Sequence, residues 1–194
     1  MSINNRQRRT DLIQTEKRQV EGFTLIEMVI TIVVAMILVT IGAPSFLNLI
    51  QNNRMTSENN KLISGLLLAR SEAVKRQYEV VLCPSADNTG CTDDWTDNNW
   101  IVFVDDDDDG TNETADGNGA LDSGEPLLRY ETSAGSTLGW SVVTGGNSII
   151  FGANGMANGA HKLRLLDSRS ERSCIETLSS GRPIVVADAD CPAP

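Results

Sequence analysis

The densest chemistry in the sequence is acidic. Asp105-Asp106-Asp107-Asp108-Asp109-Gly110 runs on through Asp116-Gly117-Asn118-Gly119 to Asp122-Ser123-Gly124-Glu125. Counted from Asp105, the run fits D-x-D-x-D-G, with Asp116 where an EF-hand loop carries its bidentate glutamate. Alternate aspartates and a glycine bend supply the oxygen ligands that calcium takes, and a cation relieves the repulsion among five consecutive carboxylates. Asp105, Asp107, Asp109 and Asp116 are therefore the candidate calcium ligands. The flanking EF helices are absent and an aspartate is a short last ligand, so a solvated acidic loop stands as the alternative. Four cysteines, Cys83, Cys91, Cys174 and Cys191, form the second set. An even count in an oxidising compartment reads as disulfides, with three pairings open. Cys83–Cys91 and Cys174–Cys191 are favoured because each closes a short local loop. Zinc is the lesser reading, since neither spacing is C-x-x-C and His161 is the one histidine. An enzyme lacks its parts: there is no nucleophile elbow, P-loop or Cys-His pairing, and no residue is assigned a catalytic role.

The third chemical feature is a single carboxylate, Glu27, inside an apolar run from Phe23 to Ala43. A helix over that run spans roughly 30 Å, the hydrocarbon thickness of a bilayer. Arg6, Arg8, Arg9, Lys17 and Arg18 precede it against Asp11, Glu16 and Glu21, a bias that keeps the N-terminus in the cytoplasm and sends the rest outward. A carboxylate inside a membrane helix costs about 2.5 kcal/mol or more, which marks Glu27 as functional. A secretory signal would place its small-residue cleavage site after the apolar run. Here the small residue, Gly22, stands before it, so cutting there leaves the run on the mature chain.

Gly22-Phe23-Thr24-Leu25-Ile26-Glu27 ahead of that run, with Pro44 at its end, resembles the processing site of type IV pilins and type II secretion pseudopilins. The resemblance implies cleavage after Gly22 by a prepilin peptidase and methylation of the new N-terminal Phe23. It also implies that Glu27 of an incoming subunit pairs with the Phe23 amine of the preceding one, and that Pro44 kinks the helix. Opposite charges in a low-dielectric setting attract strongly, so this pairing would set the register of assembly. The competing reading is that Glu27 only caps its own helix.

Past Pro44, apolar residues recur at Leu62, Leu66, Ala69 and Ala73, with Ile63, Leu67 and Val74 beside them, which extends one helix from about Phe23 to Arg76. From Tyr78 the period shortens. Strands are predicted at 78–83, 100–104, 127–130, 138–143, 148–151, 162–166, 173–176 and 183–186, separated by turns such as Gly145-Gly146-Asn147. The expected fold is α+β: a long N-terminal helix, half transmembrane and half amphipathic, packed on an antiparallel β-sheet domain. Its divisions are a leader at 1–22, a membrane or filament-core helix at 23–44, its amphipathic continuation at 45–76, and a disulfide-containing globular domain at 77–194.

The order Cys83-Pro84, Cys91, Trp95, Trp100-Ile101-Val102-Phe103, acidic loop, Glu125-Pro126-Leu127-Leu128-Arg129 and Ser180-Gly181-Arg182 is similar to minor pilins of the FimT and FimU kind and to H-type (GspH-like) pseudopilins. The expected function is that of a minor pilin, primed at or near a pilus tip, with the pseudopilin as alternative. Its implied partners are other pilins, the prepilin peptidase, the assembly platform and, before assembly, the inner membrane. A third alternative is DNA uptake. His161, Lys162, Arg164, Arg169, Arg172 and Arg182 form a basic set, and Gly181-Arg182 matches half of the G-R-x-R motif of FimT-like proteins, with Ile184 in place of the second arginine. Against DNA stands the charge. The leader holds five of 16 basic and three of 26 acidic residues, leaving 11 against 23, or −12.

Overall fold

The computed structural model describes residues 22–95, 99–105, 121, 125–132, 138–186 and 190–192. The chain forms two compact units, Met1–Ser45 and Phe46–Pro194. Helix α1, Leu25–Arg76, contributes to both and is continuous through Pro44.

In the first unit the helix buries nothing. Its apolar stretch has a mean hydropathy of 2.6 over 18 residues, none of them buried, and is long and apolar enough to cross a membrane. The hydroxyls of Thr31 and Thr40 donate to the carbonyls of Met28 and Ile37 at 2.9 and 2.8 Å. These two hydroxyls thus turn back onto the helix, as a lipid-facing surface requires.

In the second unit the same helix becomes one-sided. Leu62, Leu66, Ala69 and Ala73 are fully buried, while Leu67 and Val74, beside them in sequence, are exposed. Gly65 lies on the buried stripe, and a Cβ there would come within 2.5 Å of the Trp100 indole, so the helix needs glycine to approach this closely. The helix stops at Gln77, whose left-handed backbone (φ 64°) lets its N–H donate to Ala73 O at 2.9 Å.

Among the described residues eight strands follow: β1 Glu79–Pro84, β2 Trp100–Asp105, β3 Leu127–Glu131, β4 Leu138–Thr144, β5 Ile149–Phe151, β6 His161–Asp167, β7 Arg172–Thr177 and β8 Pro183–Val186. They form the expected antiparallel β domain, divided into two sheets, β3-β2-β1-β5 and β4-β6-β7-β8, a division the sequence did not specify. The division is visible in burial. β1 and β2 are apolar on both faces: Val80, Leu82, Val102 and Val104 join the main core with the helix stripe, Trp140, Leu163 and Leu165, while Val81, Cys83, Ile101 and Phe103 form a second cluster with Cys91 and Leu121. β6 alternates strictly, with His161, Leu163, Leu165 and Asp167 inward, because its outer face meets only a thin cover. That cover is the C-terminal segment. Cys191 is bonded to Cys174, Arg164 donates to Pro192 O at 3.1 Å, and Lys162 donates to Asp190 O at 3.4 Å.

Candidate functional site

The N-terminal segment is built around Thr24. Gly22, Phe23 and Thr24 precede the helix, a start two residues later than the sequence pattern suggests. The physical reason is a cap: Thr24 Oγ1 accepts the Glu27 N–H at 3.3 Å, and Thr24 O accepts the Met28 N–H at 3.1 Å. The sequence carries the signal for it, since Thr24-Leu25-Ile26-Glu27 is the T-x-x-E pattern of a capping box, but the apolar run alone does not show it. With the helix end capped by a hydroxyl, the Glu27 carboxylate is left over. Among the described residues it has no hydrogen bond or ion pair. Phe23, Leu25, Ile26 and Met28 around it are all exposed. A Cβ at Gly22 would meet no atom within 4 Å, so nothing in the fold asks for glycine there. Among the described residues, the segment thus carries a small residue, an exposed aromatic and one carboxylate that the rest of the fold does not engage.

The cysteines bond as Cys83–Cys91 and Cys174–Cys191, each with Cα atoms 5.5 Å apart. The first ties the connection after β1 onto the outer face of the first sheet, and the second ties the C-terminal segment onto the second sheet. Among the described residues, no group of three or more His, Cys, Asp or Glu side chains could hold a metal ion. Asp105 ends β2 and is buried, paired in register with Glu79. Asp107, Asp109 and Asp116 lie outside the described residues.

The basic set is not gathered into one face. His161 is buried on β6, its Nε2 2.7 Å from Asn158 Oδ1; burial pushes its imidazole below the usual histidine range, with a backbone hydrogen bond to Gly146 acting the other way. Lys162 pairs with Glu176 at 3.2 Å and Arg164 holds the C-terminal segment. Arg169 bonds Asp167 and also reaches α1, donating to Asn48 Oδ1 at 3.2 Å and Asn52 Oδ1 at 2.7 Å. Arg182 alone of the set is exposed, in the turn between β7 and β8. Sequence reasoning missed the Arg169 clamp, whose partners lie more than a hundred residues away. It also missed Arg129, which donates to Ser64 and Glu131 and lies 5.4 Å from the centre of the Trp100 ring.

Comparison with known proteins fits these parts together. Residues 58–186 match the family model described as Type II transport protein GspH, and residues 17–43 match the prokaryotic N-terminal methylation motif. No curated protein matches the chain in sequence. Two crystal forms of the type IV minor pilin FimU of Pseudomonas aeruginosa are similar in fold, with TM-scores of 0.53 and 0.50 at 19% identity. They cover 73% and 71% of this chain and 95% and 96% of their own. The minor pseudopilin EpsH of the Vibrio cholerae Type 2 Secretion System gives a TM-score of 0.44 at 11% identity, over 72% of this chain and 98% of its own. The methylation motif implies processing by a prepilin peptidase, and the family is one of structural subunits that assemble with other pilins. The chain belongs to the type II transport protein GspH family and is a minor pilin or pseudopilin of a type IV pilus or a type II secretion system.

Proposed function

We propose that the protein is a minor type IV pilin. It is cut after Gly22, is held in the inner membrane by residues 23–44 with the globular unit in the periplasm, and is then built into a pilus at or near its tip. The observation that carries this reading is the Glu27 carboxylate. Among the described residues it has no partner, on an exposed apolar helix whose end Thr24 already caps. Such a group is costly in lipid and becomes favourable once a neighbour's Phe23 amine meets it. The likeness in fold to FimU supports the pilus over the secretion system. The description of the matching family model favours the second reading, an H-type pseudopilin, and both use the same N-terminal chemistry. DNA uptake is the weakest of the three, because Lys162 and Arg164 are held by Glu176 and the C-terminal segment.

Cleavage is tested at Gly22. Since the fold leaves open space around it, a leucine there should not disturb structure, and the whole effect falls on the peptidase. Gly22→Leu should leave only full-length protein in the inner-membrane fraction. Abundant mature-sized protein from this variant would contradict processing at this bond.

A further inference from the structure

All eleven basic side chains beyond residue 22 lie among the described residues, and in so acidic a chain most are engaged. Lys61, Lys75, Arg76, Arg129, Lys162 and Arg169 pair with carboxylates, Arg164 holds a carbonyl, and Arg172 has its own contact. Arg54, Arg70 and Arg182 have no ion pair or hydrogen bond among the described residues. Arg54 stands alone, 16 residues or about 24 Å along the helix from Arg70. Arg70 lies over the turn that carries Arg182.

Two turns bring them together. The β7–β8 turn closes with Gly181 N–H donating to Leu178 O at 2.7 Å, and Gly181 is left-handed at φ 76°. The β5–β6 turn places Gly155, also left-handed at φ 72°, directly against it, so that a side chain at Gly181 would overlap the Gly155 carbonyl. Ala157 N–H donating to Ser179 O at 3.0 Å fastens one turn to the other. Arg70 of α1 lies over this junction, its Nε 3.3 Å from where a Gly181 Cβ would stand and 3.4 Å from a Gly155 Cβ. Arg182 is the next residue along. Apolar side chains stand open nearby, with Met156 50% exposed, Val74 45% and Leu178 36%, beside the exposed polar Asn154, Ser179 and Ser180 of the same turns.

We propose that this cradle of Arg70 and Arg182, rimmed by Val74, Met156 and Leu178, docks an acidic segment of a neighbouring subunit in the filament. Two cations at one junction, with no carboxylate partner among the described residues, favour an anionic occupant. The apolar rim suits a protein segment that brings side chains with its carboxylates. Nucleic acid would instead need a run of phosphate contacts that a mature chain with 11 basic against 23 acidic residues does not offer here. The glycine junction fixes the cradle in advance, which lowers the ordering cost of binding. The inference rests on the assembly reading above.

The test uses the full chain in detergent at low salt and, as probe, a fluorescent peptide copying residues 104–118 of this sequence, which carries the five-aspartate run. The peptide should bind the wild type, lose binding as salt is raised, and bind Arg70→Gln/Arg182→Gln about tenfold more weakly, the order expected for two partly exposed charge pairs. Arg182→Gln alone, at an exposed position, keeps the fold and should show part of the loss. A peptide with asparagine for each aspartate should not bind. Equal binding to wild type and double variant, no binding to either, or displacement of the peptide by a short single-stranded DNA that binds more tightly would each overturn the proposal. Peptide binding needs no filament, so it stands or falls separately from Gly22 processing and from Glu27.

Discussion

The two stretches of α1 obey opposite rules. Between Leu25 and Ser45 every large apolar side chain is exposed, whereas between Phe46 and Arg76 the stripe of Leu62, Leu66, Ala69 and Ala73 is wholly buried. The first stretch has apolar residues on all sides and one carboxylate; the second has a polar face held by Arg169 through Asn48 and Asn52, and by Ser173 through Asn59. A helix that is apolar all round is stable only where something else surrounds it, and a one-sided helix is satisfied by its own domain. One continuous helix therefore carries two kinds of information: what this chain folds upon, and what it must be given by lipid or by its neighbours.

The same substitution should separate the two. Leu66→Ala removes a fully buried side chain between helix and sheets and should destabilise the globular unit by about 2–5 kcal/mol. Leu38→Ala, at a residue 66% exposed in the first unit, should leave the thermal midpoint of that unit where it was. Equal losses would break the distinction.

The acidic run offers a smaller effect within the globular unit. If Asp105, Asp107, Asp109 and Asp116 ligate calcium, a hundredfold excess over Kd should add about 2.7 kcal/mol, read as a higher midpoint with calcium than with chelator. Asp107→Asn with Asp109→Asn should remove most of that difference. A midpoint indifferent to calcium, and slightly raised by the two asparagines, identifies a solvated loop instead.

Smaller again is the contribution of His161. Its folded imidazole ionises at lower pH than the ordinary 6.5 because it is buried, so between the two values the unfolded chain holds more protons. Stability from this site is full above about pH 6.5 and falls as pH drops toward the folded value. His161→Gln should flatten that part of the profile in denaturant titrations between pH 8 and 5. An unchanged slope would show that other groups set it.

Much of the fold was legible because its signals are local. Short runs bounded by turn residues located the eight described strands, and the helical spacing picked out Leu62, Leu66, Ala69 and Ala73, all of them buried. The division into two sheets was not legible, since it depends on which strands pair across the chain: β1 takes β5 as its neighbour across the whole of β2, β3 and β4. The helical spacing gave Gly65 no role, and only the position of the Trp100 ring explains it. At the site, Glu27 stood out by its solitude, whereas Thr24, its neighbour in a four-residue motif, was hidden within the apolar run. Arg169 looked like one more basic residue near the C-terminus because its partners, Asn48 and Asn52, are distant in sequence.

The central claim is that the first stretch of α1 is completed by another subunit through Glu27, and its most direct measurement compares Glu27→Ala with wild type in two fractions of the same cells. Removing the charge eases membrane insertion, so the amount in the inner membrane should hold or rise. The amount in sheared filaments should fall well below wild type, because the register contact with the neighbouring Phe23 amine is gone. A filament-to-membrane ratio equal to that of the wild type would contradict the account.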